Sequence, residues 1–66
     1  MTESDCRGTD WNQLGQLDGI TGNRPRIDQY AYQCSQHGVT ANEPAYLDGW
    51  WTGNAIYDAR VSGSRM

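Results

Sequence analysis

Apolar and aromatic positions recur at helical spacing in three stretches of this chain, and nowhere do apolar and polar residues alternate over a strand's length. The densest stretch runs from Tyr46 to Tyr57. There Tyr46, Gly49, Trp50, Gly53, Ile56 and Tyr57 fall on one stripe at the i, i+3, i+4, i+7 spacing of a buried helix face. Each glycine on such a stripe lowers helix propensity by roughly 1 kcal/mol relative to alanine. The pair therefore predicts close approach of a second backbone, with aromatic rings at either end.

That second backbone has its own signature. Trp11, Leu14, Gly15, Asp18 and Gly19 share a face of a helix that begins at Thr9 or Asp10, either of which can cap the free N–H groups after it. Its glycines are four apart, as in the later stretch. The match predicts that these first and third helices pack antiparallel through glycine faces, with Trp11, Gly15 and Gly19 against Tyr46, Gly49, Trp50, Gly53 and Tyr57. The alternative is that one or more of these glycines marks a helix end or a tight turn.

The turn cluster Thr21-Gly22-Asn23-Arg24-Pro25 ends the first helix. A second helix is predicted from about Arg26 to His37, with Ile27, Tyr30, Ala31 and Cys34 inward and Asp28, Gln29, Gln33 and Gln36 outward. Gly38 stands where a left-handed C-terminal cap belongs, and His37 lies in the last turn. Asn42 or Glu43 caps the third helix, Pro44 sits in its first turn, and the helix continues to about Arg60. The expected organisation is an irregular lead-in over residues 1–8, one compact all-α domain of three helices over 9–60, and a flexible tail over 61–66.

Composition sharpens this picture. Sixty-six residues barely support a fold on a hydrophobic core alone, and the chain has no phenylalanine and few aliphatics. Seven aromatics and a net charge of only −3 argue against disorder. Cys6 and Cys34 are the only cysteines. An even count in so small a chain points to one disulfide and an oxidising compartment, the alternative being two independent free thiols. The acidic balance, with no lysine and five scattered arginines, argues against nucleic acid as a partner. No apolar run approaches the roughly 20 residues that span a bilayer, and no export signal is visible.

Taken in order, Cys6, Asp10-Trp11, Leu14-Gly15, Asp18-Gly19 and Gly22, then Cys34-Ser-Gln-His37-Gly38-Val39, then Tyr46, Gly49, Gly53 and Tyr57 resemble the domain of unknown function 2799. Its members are small Gram-negative cell-envelope proteins, many of them predicted lipoproteins. The resemblance implies an extracytoplasmic location, periplasmic or outer-envelope, and a structural role for the paired glycines and the cysteines. It implies no catalytic activity. The chain departs from the pattern at Tyr30, where relatives commonly carry histidine, and at Asp58, where they often carry cysteine. With that later cysteine absent, Cys6 and Cys34 form the one available internal pair. Cys6 as a lipid-anchor residue is a weak reading, because no apolar export segment precedes it.

Candidate chemistry is sparse. Cys34 and His37 are three apart on one helix and supply at most two ligands of the four that zinc wants, so no metal or other cofactor is expected. The same pair lacks a third group to orient a nucleophile, and a disulfide would silence the thiol. Asp10 reads as a cap, while Asp18 and Asp48, each preceding a helix glycine, are placed to bond across the helix pair. An enzyme is not expected. Trp50 and Trp51 point about 100° apart on a helix, so burying the first leaves the second at the surface or an edge. The favoured reading is a non-enzymatic structural or interaction module of the bacterial envelope that docks another protein or itself through Trp51, Tyr32 and neighbouring polar groups. The alternatives are a glycan- or peptidoglycan-binding module using the same aromatics, and a cytosolic or phage-encoded regulator.

Overall fold

A computed structural model describes residues 1–64, which are all-helical. Four helices are found among them: α1 (Glu3–Gly8), α2 (Trp11–Ile20), α3 (Ile27–Ser35) and α4 (Glu43–Ser64). The caps are largely those the sequence predicts. Asp10 accepts the Gln13 N–H at the start of α2, and Asn42 accepts the Ala45 N–H at the start of α4. Gly22 and Gly38 both have positive φ, closing α2 and α3 where only glycine turns without penalty.

Three element boundaries are corrected. Residues 1–8 are not an irregular lead-in, because Glu3–Gly8 forms α1. Thr2 and Asp5 make a reciprocal capping box there, each side chain bonding the other's backbone N–H, and an exposed Arg7–Glu3 pair spans one turn. The second helix ends at Ser35, two residues early, and passes into a turn that Gly38 closes. The last helix passes Arg60 and runs to Ser64, so the flexible tail does not begin at residue 61, and residues 65–66 of that expectation lie outside the described residues.

The largest correction is directional: α2 and α4 are parallel. A Cβ at Gly15 would meet the Tyr46 carbonyl oxygen and the Trp50 nitrogen, and one at Gly19 the Trp50 oxygen and the Asn54 nitrogen. From the other side, Gly49 abuts Asn12, and Gly53 abuts Gln16 and Ile20. Residue numbers rise together along the two helices, which is the mark of parallel packing. The cause is topological. Short loops reverse the chain at each turn, α3 carries it back, and the first and third long helices of such a path share a direction.

The contact is backbone on backbone. A methyl group at Gly15, Gly19, Gly49 or Gly53 would lie 2.0, 2.2, 1.9 or 2.2 Å from a main-chain oxygen of the facing helix. All four glycines are buried. Close approach places Cα–H groups against carbonyls and brings many atoms into dispersion range, offsetting the poor helix propensity of glycine.

On one side of this pair lies a small core of Cys6, Trp11, Ile27, Cys34, Ala41 and Tyr46, with Leu14, Leu47 and Trp50 packed against it. Cys6 and Cys34 form a disulfide that ties α1 to α3, with their Cα atoms 5.6 Å apart. The predicted buried stripe of α4 ends sooner than expected. Ile56 is 42% exposed and Tyr57 37%, because α2 stops at Ile20 beside Gly53 and offers nothing further to cover them. Tyr57 still lays its ring over Gly22.

Candidate functional site

The polar centre of the molecule is Asp18, which is only 4% exposed. The helix that carries it begins at the Asp10 cap, and helical phase carries Asp18 to the same side as Trp11 and Leu14, facing α3. Three donors from two other segments converge on its carboxylate. The Arg26 guanidinium donates to Oδ1 at 2.7 Å, the Tyr30 hydroxyl donates to Oδ2 at 3.3 Å, and the Tyr46 hydroxyl donates to the same Oδ2. The Tyr46 oxygen in turn accepts the Arg26 main-chain N–H at 3.0 Å, which satisfies one of the free N–H groups at the start of a helix that lacks a side-chain cap. Trp11, Tyr30 and Tyr46 pack in sequence around the cluster, the first pair tilted and the second edge-to-face, at centroid separations of 6.3 and 5.8 Å.

Burial pushes the Tyr46 hydroxyl up to about 12, and its hydrogen bond to Asp18 adds to the shift. Tyr30 is raised for the same reasons, burial first and the Asp18 charge second. The hydrogen bond to Asp18, then its charge, hold Arg26 above its ordinary value. Every shift favours the proton arrangement that binds the helices together. The carboxylate is fully engaged by groups of its own chain, so its chemistry is that of a lock between α2, α3 and α4. Asp18 therefore bonds across the helix pair as its position suggested. Asp48 stays at the surface, where its main-chain carbonyl accepts from Thr52.

The other candidate residues are dispersed. Cys34 is buried in the disulfide, which leaves no thiolate to act as ligand or nucleophile. His37 is exposed, with Nε2 3.2 Å from the Met1 carbonyl oxygen. No group of three or more metal-ligating side chains occurs among the described residues. Trp50 is half-buried and donates its indole N–H to the Asn23 carbonyl at 2.9 Å, fixing its plane. Trp51 stands edge-on to it, with centroids 5.0 Å apart and planes at 85°, and is 66% exposed. Tyr32 projects from α3 with 68% of its surface exposed. The structure thus gives Trp51 a fixed aromatic neighbour in Trp50 rather than in Tyr32.

Sequence reasoning missed the convergence on Asp18. Arg26 lies eight residues away across a turn, and Tyr46 lies 28 residues away. A buried phase for Asp18 was the available signal, since a carboxylate on the inner face of a helix requires donors.

Lock, staple and glycine seam together define a small disulfide-stapled helical module whose polar core is structural and whose aromatic surface is open. The chain belongs to a family of proteins of unknown function, DUF2799, whose model matches residues 10–64. The match takes in α2 to α4 and leaves α1, with Cys6, outside it. No curated protein and no solved structure matches the chain. None of its helices, among the described residues, is long and apolar enough to cross a membrane.

Proposed function

We propose that this protein is a non-enzymatic interaction module of the bacterial cell envelope, which docks a protein partner through Trp51 in a periplasmic or outer-envelope setting. The observation that carries the reading is the pose of Trp51. A large exposed indole is held against a second indole that is itself hydrogen-bonded to the backbone, so little side-chain freedom is lost when a partner covers it. The buried disulfide supports an oxidising compartment, and so weighs against the cytosolic alternative. The perpendicular setting of Trp50 and Trp51 gives one edge-shaped contact rather than two parallel faces for a sugar ring, so a glycan is the less favoured occupant.

Site-specific photo-crosslinking in the native host tests the proposal. A photoreactive residue replacing Trp51 is expected to give a discrete protein adduct in the envelope fraction, while one replacing the exposed Gln36 gives none. Recovery of the protein in the cytosol with both thiols free, or equal labelling from the two positions, would sink it.

A further inference from the structure

The outward face of α4 has a charge of one sign. At about 100° per residue, the side turned away from Gly49 and Gly53 carries Asp48, Trp51, Ala55 and Asp58, all of them exposed. Arg60 is the one cation of α4 among the described residues, and its place about two and a half turns past Trp51 puts it on the opposite side. The salt bridges among the described residues, Arg7–Glu3 and Arg26–Asp18, leave the carboxylates of Asp48 and Asp58 unpaired. Nor does a guanidinium of this chain cover the Trp51 ring, since the cation–π contact among the described residues is Arg26 over Tyr30.

We infer that this face takes an arginine-bearing segment of the partner protein, with one guanidinium laid on the Trp51 indole and others paired with Asp48 and Asp58. The inference rests on docking through Trp51 and adds the chemistry of what docks there. Tryptophan is the best ring for a cation, and the edge contact with Trp50 holds this one in place. A planar guanidinium stacks on such a ring while its N–H groups stay free for carboxylates. Asp48 lies one turn before Trp51 and Asp58 two turns after it, about 15 Å apart along the axis at roughly 1.5 Å per residue. An extended segment with arginine at alternate positions sets its guanidinium groups on one side at intervals of about 6.7 Å. Three of them therefore reach the ring and both carboxylates. A neutral or acidic segment would cover the two carboxylates without counter-charge, which selects against it. The chain's net charge of −3, with no lysine, draws a basic partner in the same sense.

Two measurements test the inference. The first follows the Trp51 indole N–H of the oxidised full chain by nuclear magnetic resonance during titration with a short blocked peptide of alternating arginine and serine. The reference is the same peptide with citrulline, a neutral isostere, in place of arginine. The arginine peptide is expected to bind about tenfold tighter or more, to weaken about two- to fivefold with each of Asp48→Asn and Asp58→Asn, and to release as salt is raised. Arg60→Gln, on the opposite side, is expected to change binding less than about twofold.

The second separates this inference from the docking reading. A photoreactive residue replacing Ala55, one turn past Trp51, is expected to give the envelope adduct in the otherwise native chain. The adduct should vanish in Trp51→Ala and fall severalfold in the double variant Asp48→Asn, Asp58→Asn. These are surface changes, and circular dichroism checks that the helices remain. An adduct lost in Trp51→Ala but kept in full in the double variant overturns the arginine inference and leaves docking through Trp51 standing. An adduct that survives Trp51→Ala, or none from any chain, overturns both. Equal binding of the arginine and citrulline peptides overturns the arginine inference by itself.

Discussion

The two halves of α4 make an instructive contrast. From Glu43 to Gly53 the helix is pressed against α2 at backbone distance, with Tyr46 locked to Asp18 and Trp50 bonded to Asn23. From Asn54 to Ser64 the same helix continues past the end of α2, and residues 55–60 are all exposed. The first half contains two glycines and would be a poor helix in isolation, whereas the second half holds Ala55, Ile56, Ala59 and Arg60 and has only one glycine. Stability in this chain therefore runs opposite to intrinsic propensity. The glycine-rich half is held by tertiary packing, and the better helix former relies on its own hydrogen bonds and on propagation from the packed half.

Substitutions should separate the halves cleanly. The largest effect is expected at the seam. Gly15→Ala or Gly49→Ala sets a methyl group about 2 Å from a backbone oxygen, so the helices must part, at a cost of about 3 kcal/mol or more. In a domain this small that removes most of the stability, and chemical denaturation should show little or no folded baseline. A helix-propensity view predicts the opposite sign, since alanine is the better helix former, so the sign alone decides between the two.

Reduction of Cys6–Cys34 comes next. The bond closes a loop over a separation of 28 residues and is expected to contribute roughly 3–4 kcal/mol. Melting with and without reductant measures it, and the loss should fall on α1 and α3 before it reaches the end of α4.

Asp18→Asn should cost about 2–4 kcal/mol, because Arg26 loses its ion pair while Tyr30 and Tyr46 lose the charge that their hydroxyls address. The same lock has an alkaline signature. Tyr46 binds its proton more tightly when folded, about 12 against an ordinary 10.0, so between those values the unfolded chain holds fewer protons than the folded one. The contribution is complete below pH 10 and is lost as pH rises toward 12. Denaturant midpoints measured across that window should fall, and Tyr46→Phe should flatten the decline. The smallest effect belongs to the projecting half: Ala59→Gly should cost no more than about 1 kcal/mol, seen as a slight loss of helicity with the denaturation midpoint nearly unmoved.

How much of this was legible in the chain follows the range of the interaction. Local signals were readable: Asp10 and Asn42 as caps, Gly38 as a left-handed terminus, and the paired glycines as a close helix contact. The capping box of Thr2 and Asp5 is equally local, but no apolar periodicity marks a helix in the polar run of residues 1–8. The direction of packing was not encoded in the glycine spacing, which is the same for either orientation, but in the count of chain reversals between the two helices. A helical wheel showed the side of α4 that holds Ile56 and Tyr57. It could not show that α2 ends too early to cover them. Trp51 emerged exposed because two adjacent indoles cannot share one face, an inference that needed only the helical angle. The Asp18 lock joins residues up to 28 apart, and nothing local announces such a meeting.

The parallel glycine seam organises everything else, and a nuclear Overhauser spectrum of the oxidised, isotope-labelled protein tests it most directly. Cross-peaks are expected from the Gly15 Hα protons to the Trp50 amide and from the Gly19 Hα protons to the Asn54 amide. Cross-peaks instead from Gly15 to Asn54 and from Gly19 to Tyr46 would place the helices antiparallel and contradict the account.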